Sequence, residues 1–182
     1  MKILKKLLVG FIALIAVLLI IALFVPKQYT VSVSETINKP KQQVYDYVKT
    51  LRNQTQYSEW VKADPNLNPE IIGTDGTVGA IQRWDSKNDN IGEDVGQGEQ
   101  EIKNMTEDRI DLELRFKRPF ENKANAANIF KAISENSTLI TSEFYAKDVY
   151  PFNLMSYTFG QSIIKKTQIQ NLKNIKQILE SQ

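Results

Sequence analysis

The last thirty residues of the chain, Asn153 to Gln182, constrain the fold most, because their pattern predicts one long amphipathic helix. Apolar residues recur there at helical spacing and share one stripe: Leu154, Tyr157, Ile164, Leu172, Ile175 and Leu179. Gly160 is the one weak point of the pattern, and no proline follows Pro151. Such a helix needs an apolar surface to pack against, and we expect the preceding strands to supply it.

The segment before this helix alternates with a period of two, which is typical of antiparallel strands. The pattern is cleanest from Arg109 to Lys117, where charged residues take one face and apolar residues take the other. This alternation predicts a sheet with one solvated face and one buried face. The predicted strands cover residues 29–37, 70–73, 78–86, 94–104, 109–117, 123–134 and 138–147.

Two short helices are predicted between the first strand and the rest of the sheet. One runs from Pro40 to Leu51, with Val44 and Val48 at helical spacing, and the second ends near Trp60. Strands grouped in this way, and followed by a long helix, indicate the α+β class. We therefore expect a curved antiparallel sheet of about six to seven strands, wrapped around the C-terminal helix.

An apolar run near the N-terminus predicts a transmembrane helix. Leu7 to Val25 is an uncharged stretch of nineteen residues, which spans about 28 Å as a helix. A cleaved secretory signal is the first alternative, but it would have a shorter apolar region and small residues before the cut; a buried helix of a soluble protein is the second. Here the run ends in Leu-Phe-Val-Pro, so we favour an uncleaved anchor over residues 1–27 and a domain over residues 28–182.

The charges that flank the apolar run predict its orientation. Lys2, Lys5 and Lys6 precede the run, whereas Lys27 alone follows it closely. Because positive flanks stay in the cytoplasm, we expect a single-pass membrane protein with a cytoplasmic N-terminus and an extracytoplasmic domain.

Composition excludes several kinds of chemistry. The chain has 182 residues with no cysteine and no histidine, which removes disulfides, thiolate nucleophiles, imidazole acid–base catalysis and nearly all zinc sites. Without the three N-terminal lysines it carries 20 basic and 21 acidic residues. This balance argues against a nucleic-acid partner, and we predict no metal and no cofactor.

The carboxylates that could form an acid–base pair are predicted to face solvent. By strand alternation the outward-facing set is Asp85, Glu99, Glu101 and Glu113. A solvated charged face is the ordinary interpretation of such a set. We therefore predict no catalytic constellation, and we lean against an enzyme.

Several short segments, in order along the chain, resemble one known family. They are Trp60 with Asp64-Pro65-Asn66; Thr77-Val78-Gly79-Ala80 with Trp84; Gly96-Gln97-Gly98-Glu99 with Ile102; Leu114-Arg115-Phe116 with Pro119-Phe120; and Pro151-Phe152-Asn153-Leu154-Met155. Over residues 29–179 the chain resembles the START-like, or helix-grip (SRPBCC), superfamily and its polyketide cyclase/dehydrase-like group. This resemblance implies a helix-grip fold, but the superfamily includes lipid carriers, hormone receptors, cyclases and chaperone activators. Ser142 departs from the family pattern, which often has an aromatic residue in the last strand, and so either opens room or shifts the register.

A ligand site is predicted between the concave face of the sheet and the C-terminal helix. Small residues such as Ala124 and Ala126 on that face favour a void, although ordinary core packing is the alternative for each lining side chain. Gln161 and Gln168 lie on the helix stripe and would pair with sheet amides such as Gln82 and Gln100, or with a ligand, unless a kink at Gly160 turns them to solvent. The predicted ligand-binding residues are Trp84, Leu112, Leu114, Phe116, Asn128, Phe130, Ser142, Phe144, Gln161 and Gln168.

These features together predict a membrane-tethered protein that binds a hydrophobic small molecule, with a lipid as one candidate. The first alternative is a cyclase or hydrolase type of enzyme, for which Tyr145, Tyr157 and Lys165 are the candidate groups. The second is a module that binds a protein partner through its outer face, as the chaperone activators of the superfamily do. The sequence names neither the ligand nor a protein partner.

Overall fold

The computed structural model describes residues 2–88 and 95–182. Within this part of the chain, seven antiparallel strands form one sheet in the order β1-β7-β6-β5-β4-β3-β2. The strands are β1 (Gln28–Ile37), β2 (Glu70–Ile72), β3 (Ile81–Asp85), β4 (Gln97–Thr106), β5 (Arg109–Arg118), β6 (Asn122–Ser134) and β7 (Ser137–Lys147). The predicted α+β class is confirmed, as is the grouping of the strands.

Helices precede, interrupt and follow the sheet in the predicted order. They are α1 (Lys2–Phe24), α2 (Lys41–Lys49), α3 (Gln54–Tyr57), α4 (Glu59–Lys62), α5 (Asn153–Met155) and α6 (Gln161–Glu180). A 3₁₀ turn at Leu51–Asn53 precedes α3, and a π-helical turn at Ser156–Gly160 joins α5 to α6. The C-terminal helix is therefore long, as predicted, but its first two turns are irregular.

The strand register confirms that the inward-facing apolar residues of neighbouring strands lie on the same face of the sheet. Across neighbouring strands Leu112 pairs with Ala126, Ala126 pairs with Phe144, and Phe144 pairs with Val31. Cross-strand partners point to the same face, so the apolar set predicted from alternation in β5 lies on one continuous surface. The predicted start of β4 at Asp94, and most of the predicted loop at residues 87–92, lie outside the described residues.

One half of the concave face is filled. Leu172, Ile175 and Leu179 of α6 are buried there against strand residues such as Ile37 and Ile140. Helix α2 closes the same end, where the ring of Tyr45 meets that of Phe130 edge-on, at 5.0 Å between centroids. This half is an ordinary close-packed core.

At position 98 the sheet has room for glycine but not for a larger residue. A Cβ atom there would lie 2.6 Å from the ring of Trp84 and 2.7 Å from the carbonyl oxygen of Arg115. The strand pairing also shifts register between Gln97 and Gly98. Gly98 therefore marks both an irregularity in the strand pairing and a close approach of the Trp84 ring.

Candidate functional site

The other half of the concave face is only partly covered by helix α6. Its side chains stay half-buried although they point inward: Leu114, Phe116, Ala126, Asn128, Ser142 and Phe144. Ile164 and Gln168 of α6 lie over them and are half-buried too. We call this set of eight residues the groove, and it is a concave apolar surface with a few polar groups, as small-molecule sites usually are.

The groove contains six of the ten predicted ligand-binding residues, and the other four lie elsewhere. Leu112 and Phe130 belong to the filled core, where Phe130 packs on Tyr45 of α2. Trp84 is buried beside Phe116, with ring centroids 6.0 Å apart. Gln161 lines a separate open cleft of about 380 Å³ between the edge strand β1 and the helix, together with Lys165. A second open cleft of the same volume lies beside α2, around Tyr45 and Met105.

A hydrogen bond between two polar side chains of the groove joins helix α6 to the sheet. The Nε2 atom of Gln168 donates to the hydroxyl of Ser142 at 3.2 Å, and Ser142 pairs in register with Asn128 on β6. The register at Ser142 is therefore the expected one. The buried Oε1 atom of Gln168 has no hydrogen-bond partner among the residues that the structure describes. It is an acceptor that a ligand hydroxyl or amide could satisfy.

The predicted pairing of the helix amides with Gln82 and Gln100 is wrong. Gln100 donates instead to Gln82 and to Gln54, both at 2.6 Å, and Gln82 donates to the carbonyl of Leu51 at 2.9 Å. The reason is that the 3₁₀ turn and α3, rather than α6, cover the β3–β4 side of the sheet. These amides therefore hold the short helices in place.

Carboxylates on the outer face form ion pairs. Arg115 donates to Glu99 at 2.8 Å and to Glu101 at 2.7 Å, and it also contacts Glu113. The hydrogen bond from Arg115 holds the pKa of Glu99 below its ordinary value. Within residues 2–88 and 95–182, no three acidic side chains are grouped so that they could hold a metal ion.

Two of the three residues proposed for an enzyme are not at the groove. Tyr145 points to the outer face, where it donates to Glu143 and accepts from Arg109 at 3.2 Å. Its neighbour Phe144 faces inward, so alternation already places the hydroxyl outside. Lys165 is exposed at the β1 cleft. Tyr157 packs edge-on against Tyr29, at 6.1 Å between ring centroids.

A hydrogen-bonded chain that sequence reasoning missed joins β1 to the connection between β7 and α6. Ser156 donates to Asp148 at 2.6 Å, so its oxygen is left to accept from the hydroxyl of Tyr29 at 2.9 Å. Partial burial raises the pKa of Tyr29, and the phenol remains protonated as this geometry requires. These hydrogen bonds hold the π-helical turn against the sheet, and no local sequence pattern predicts them.

A second feature that sequence reasoning missed holds the end of helix α1. The buried side chain of Asn153 donates to the carbonyl of Ala22 at 2.8 Å and to that of Val25 at 2.9 Å. These carbonyls lie at the C-terminal end of α1, where helices leave acceptors unsatisfied. Ala22 is the buried residue of α1, at 1% exposure, and the helix is otherwise exposed. We call these two hydrogen bonds the Asn153 clasp.

The curved sheet gripping a long C-terminal helix is the helix-grip architecture of START-like proteins. Comparison with solved structures agrees. The di-domain ARO/CYC StfQ from the steffimycin biosynthetic pathway matches with a TM-score of 0.64 at 11% identity, over 85% of this chain and 51% of that chain.

Two other solved structures match over more of their own length. Norcoclaurine synthase from Thalictrum flavum, solved with dopamine and hydroxybenzaldehyde, has a TM-score of 0.61 at 10% identity, over 85% of this chain and 87% of its own. Ara h 8.0201 has a TM-score of 0.56 at 14% identity, over 85% of this chain and 99% of its own. No protein-family model and no curated protein sequence matches the chain. The chain therefore has the helix-grip fold, at identities that establish the fold alone.

Proposed function

We propose that this protein binds a hydrophobic small molecule, a membrane lipid, in the groove, and that α1 tethers it to the membrane. The observation that carries the proposal is that the inward-facing side chains of the groove are only half-buried, because helix α6 covers them in part. A sheet and helix that served only as a core would close over Leu114 and Phe144, as they do over Leu112 and Ile140 a few residues away. Half-buried apolar side chains beside an unpartnered Gln168 oxygen suit a mainly apolar ligand with one polar group.

Related folds support a small-molecule site of this kind. Norcoclaurine synthase, which shares the fold, was solved with two small aromatic molecules, and two of the other neighbours are polyketide ARO/CYC proteins. A cyclase in this chain would need an inward acid or base at the groove. Of the three ionisable residues that the sequence suggested, Tyr145 and Lys165 lie outside it, and Tyr157 packs against Tyr29. Binding is therefore the function that we favour.

The length and composition of α1 suit a membrane span, and one contact favours an uncleaved anchor over a cleaved signal. The helix α1 is 23 residues long, with a mean hydropathy of 3.3 over its most apolar window. Its large apolar side chains are exposed, which a bilayer would favour and water would not. Removal of the helix before Lys27 would also take away both acceptors of the Asn153 clasp.

The binding proposal is tested by filling the groove in the full-length protein. Ala126 lies at its floor between Leu112 and Phe144, so Ala126→Trp places an indole where the ligand would lie. Lys131→Trp is the matched control, because Lys131 is on the same strand but exposed on the outer face. Each protein is purified in lipid nanodiscs and analysed by native mass spectrometry.

We expect a bound lipid mass on the wild type and on the control, and none on Ala126→Trp. A mass that persists on Ala126→Trp would mean that lipid adheres to α1 and not to the groove. No mass on the wild type would contradict the proposal. A bound mass that changes chemically during incubation would favour the enzyme alternative. N-terminal sequencing of the same samples tests the tether, and a soluble protein beginning near Lys27 would refute it.

A further inference from the structure

A group of large apolar side chains lies exposed at one end of the domain. Each is between 54% and 71% exposed, which is unusual for a cluster on a soluble surface. The group consists of Phe120, Val149, Phe152, Met155, Phe159 and Ile163. We call it the apolar rim.

Topology places the rim at the end of the sheet where α1 joins the domain. Phe120 lies in the turn between β5 and β6, and the other five follow the end of β7, next to the first residue of β1. The rings of Phe120 and Phe152 are 6.1 Å apart. Phe152 directly precedes Asn153, which binds the end of α1. The rim therefore surrounds the point at which the apolar helix leaves the domain.

The groove extends toward the same end of the sheet. Phe116 lies two residues before the end of β5, and Phe144 lies three before the end of β7. The filled half of the concave face lies at the opposite end, around Phe130 and Ile37. An object that covers the rim would consequently lie next to the groove.

Charge around the rim matches a lipid surface. Exposed lysines surround it at the strand ends, namely Lys27, Lys117, Lys123 and Lys147, with Glu121 as an exposed acid in the same region. Apolar side chains flanked by lysines are the composition of segments that lie in a membrane interface. A protein partner or a second copy would need no such proximity to α1.

We propose that the apolar rim is inserted in the headgroup region of the bilayer that α1 spans, so that the groove opens directly onto the lipid phase. This inference rests on the proposed tether, though not on ligand binding. The reach of the chain supports it, because only residues 26 and 27 separate the apolar run from β1, and Val25 and Gln28 can be at most about 10 Å apart when the chain is extended. The Asn153 clasp further restricts the movement of the domain relative to α1. Interfacial insertion would then place the rim about 5–10 Å below the surface.

The absence of cysteine in the natural sequence makes a site-specific test direct. Single cysteines replace Phe159 and Ile163 in the rim of the full-length protein and carry an environment-sensitive fluorophore. Ile133→Cys is the matched control, since Ile133 is equally exposed at the opposite end of the sheet. Leu14→Cys, in the middle of α1, reports on the tether itself. Quenching is measured in nanodiscs with spin-labelled lipid and, separately, with aqueous iodide.

We expect both rim probes to be quenched by spin-labelled lipid and shielded from iodide several-fold relative to the Ile133 probe. Rim probes as open to iodide as the Ile133 probe, with Leu14 quenched by lipid, would overturn this inference and leave the tether intact. Shielding from iodide without quenching by lipid would also overturn it, in favour of a second copy or a protein partner. A Leu14 probe that lipid does not quench would refute the tether and this inference together. Binding in the groove is tested separately by Ala126→Trp, so the two failures are distinguishable.

Discussion

Two leucines on one strand provide a controlled test of which part of the concave face binds a ligand. Leu112 and Leu114 lie two residues apart on the same face of β5. Leu112 is 7% exposed within the core cluster, whereas Leu114 is half-buried in the groove. Truncation of each to alanine removes the same atoms from a sealed and an open environment.

The expected losses of stability differ for a physical reason. Leu112→Ala leaves a closed cavity, so it should lower the free energy of unfolding by about 2–5 kcal/mol. Leu114→Ala leaves a space that is already open on one side, so mainly the transfer of the lost methyls counts, about 1–2 kcal/mol. At about 2–4 °C per kcal/mol for a domain of this size, the melting temperature should fall by about 4–20 °C for Leu112→Ala and by about 2–8 °C for Leu114→Ala.

Ligand affinity should show the opposite order. If the ligand touches Leu114, its truncation removes about 1 kcal/mol of contact, or about a fivefold fall in affinity. Leu112→Ala should leave affinity nearly unchanged at a temperature where it is folded. The melting temperatures come from circular dichroism, and affinities from lipid titrations of the full-length protein followed by native mass spectrometry. Equal losses of stability with unchanged affinity in both variants would refute the distinction between core and groove.

Three further predictions concern polar contacts. Asn153→Ala should free the end of α1, with faster hydrogen exchange of the amides around residue 25 and a loss of about 1–3 kcal/mol from the unpaired carbonyls; unchanged exchange would mean that the clasp is not formed. Asp64 accepts from Ser86 at 2.7 Å, and such hydrogen bonds lower the pKa of Asp64. The stability that the ionised Asp64 carboxylate contributes is therefore present above its ordinary pKa of 3.8, and it is lost as the pH falls through the lower pKa of the folded state. The difference in melting temperature between wild type and Asp64→Asn should consequently narrow in acid. A difference independent of pH would contradict this. Arg115→Met should bring three glutamates together without their shared cation, at a cost of about 1–2 kcal/mol. Because Arg115 lowers the pKa of Glu99, part of this cost should be lost as the pH falls through the lowered pKa of Glu99 in the folded state; a melting temperature equal to that of wild type would show that the outer-face network contributes nothing.

Local sequence patterns were sufficient to predict the architecture, because each pattern arises within a single helix or strand. The alternation in β5 determines which side chains face inward, and a register defined by hairpins carries that assignment to β6 and β7. The same reasoning correctly placed Leu114, Phe116 and Phe144 on one face. It could not say which part of that face would be filled, since this depends on where α2 and α6 lie.

The missed residues are those whose partners lie far away in the sequence. Asn153 and Ala22 are separated by 131 positions, and Tyr29 and Ser156 by 127. An asparagine at the start of a helix looks like a local cap, and nothing nearby reveals that its amide donates to another helix. Phe130 was assigned to the site on alternation alone, although Tyr45 of α2 occupies the space in front of it.

The Asn153 clasp has a mechanical consequence for a domain attached to a bilayer. Because the end of α1 is held at two carbonyls, a tilt of the helix becomes a tilt of the whole domain. The apolar run spans about 28 Å, close to the hydrocarbon thickness of common membranes. A thinner bilayer tilts such a helix, and a thicker one draws its flanks inward. The thickness of the host membrane would then set the angle of the domain, and with it how deeply the open end of the groove is immersed.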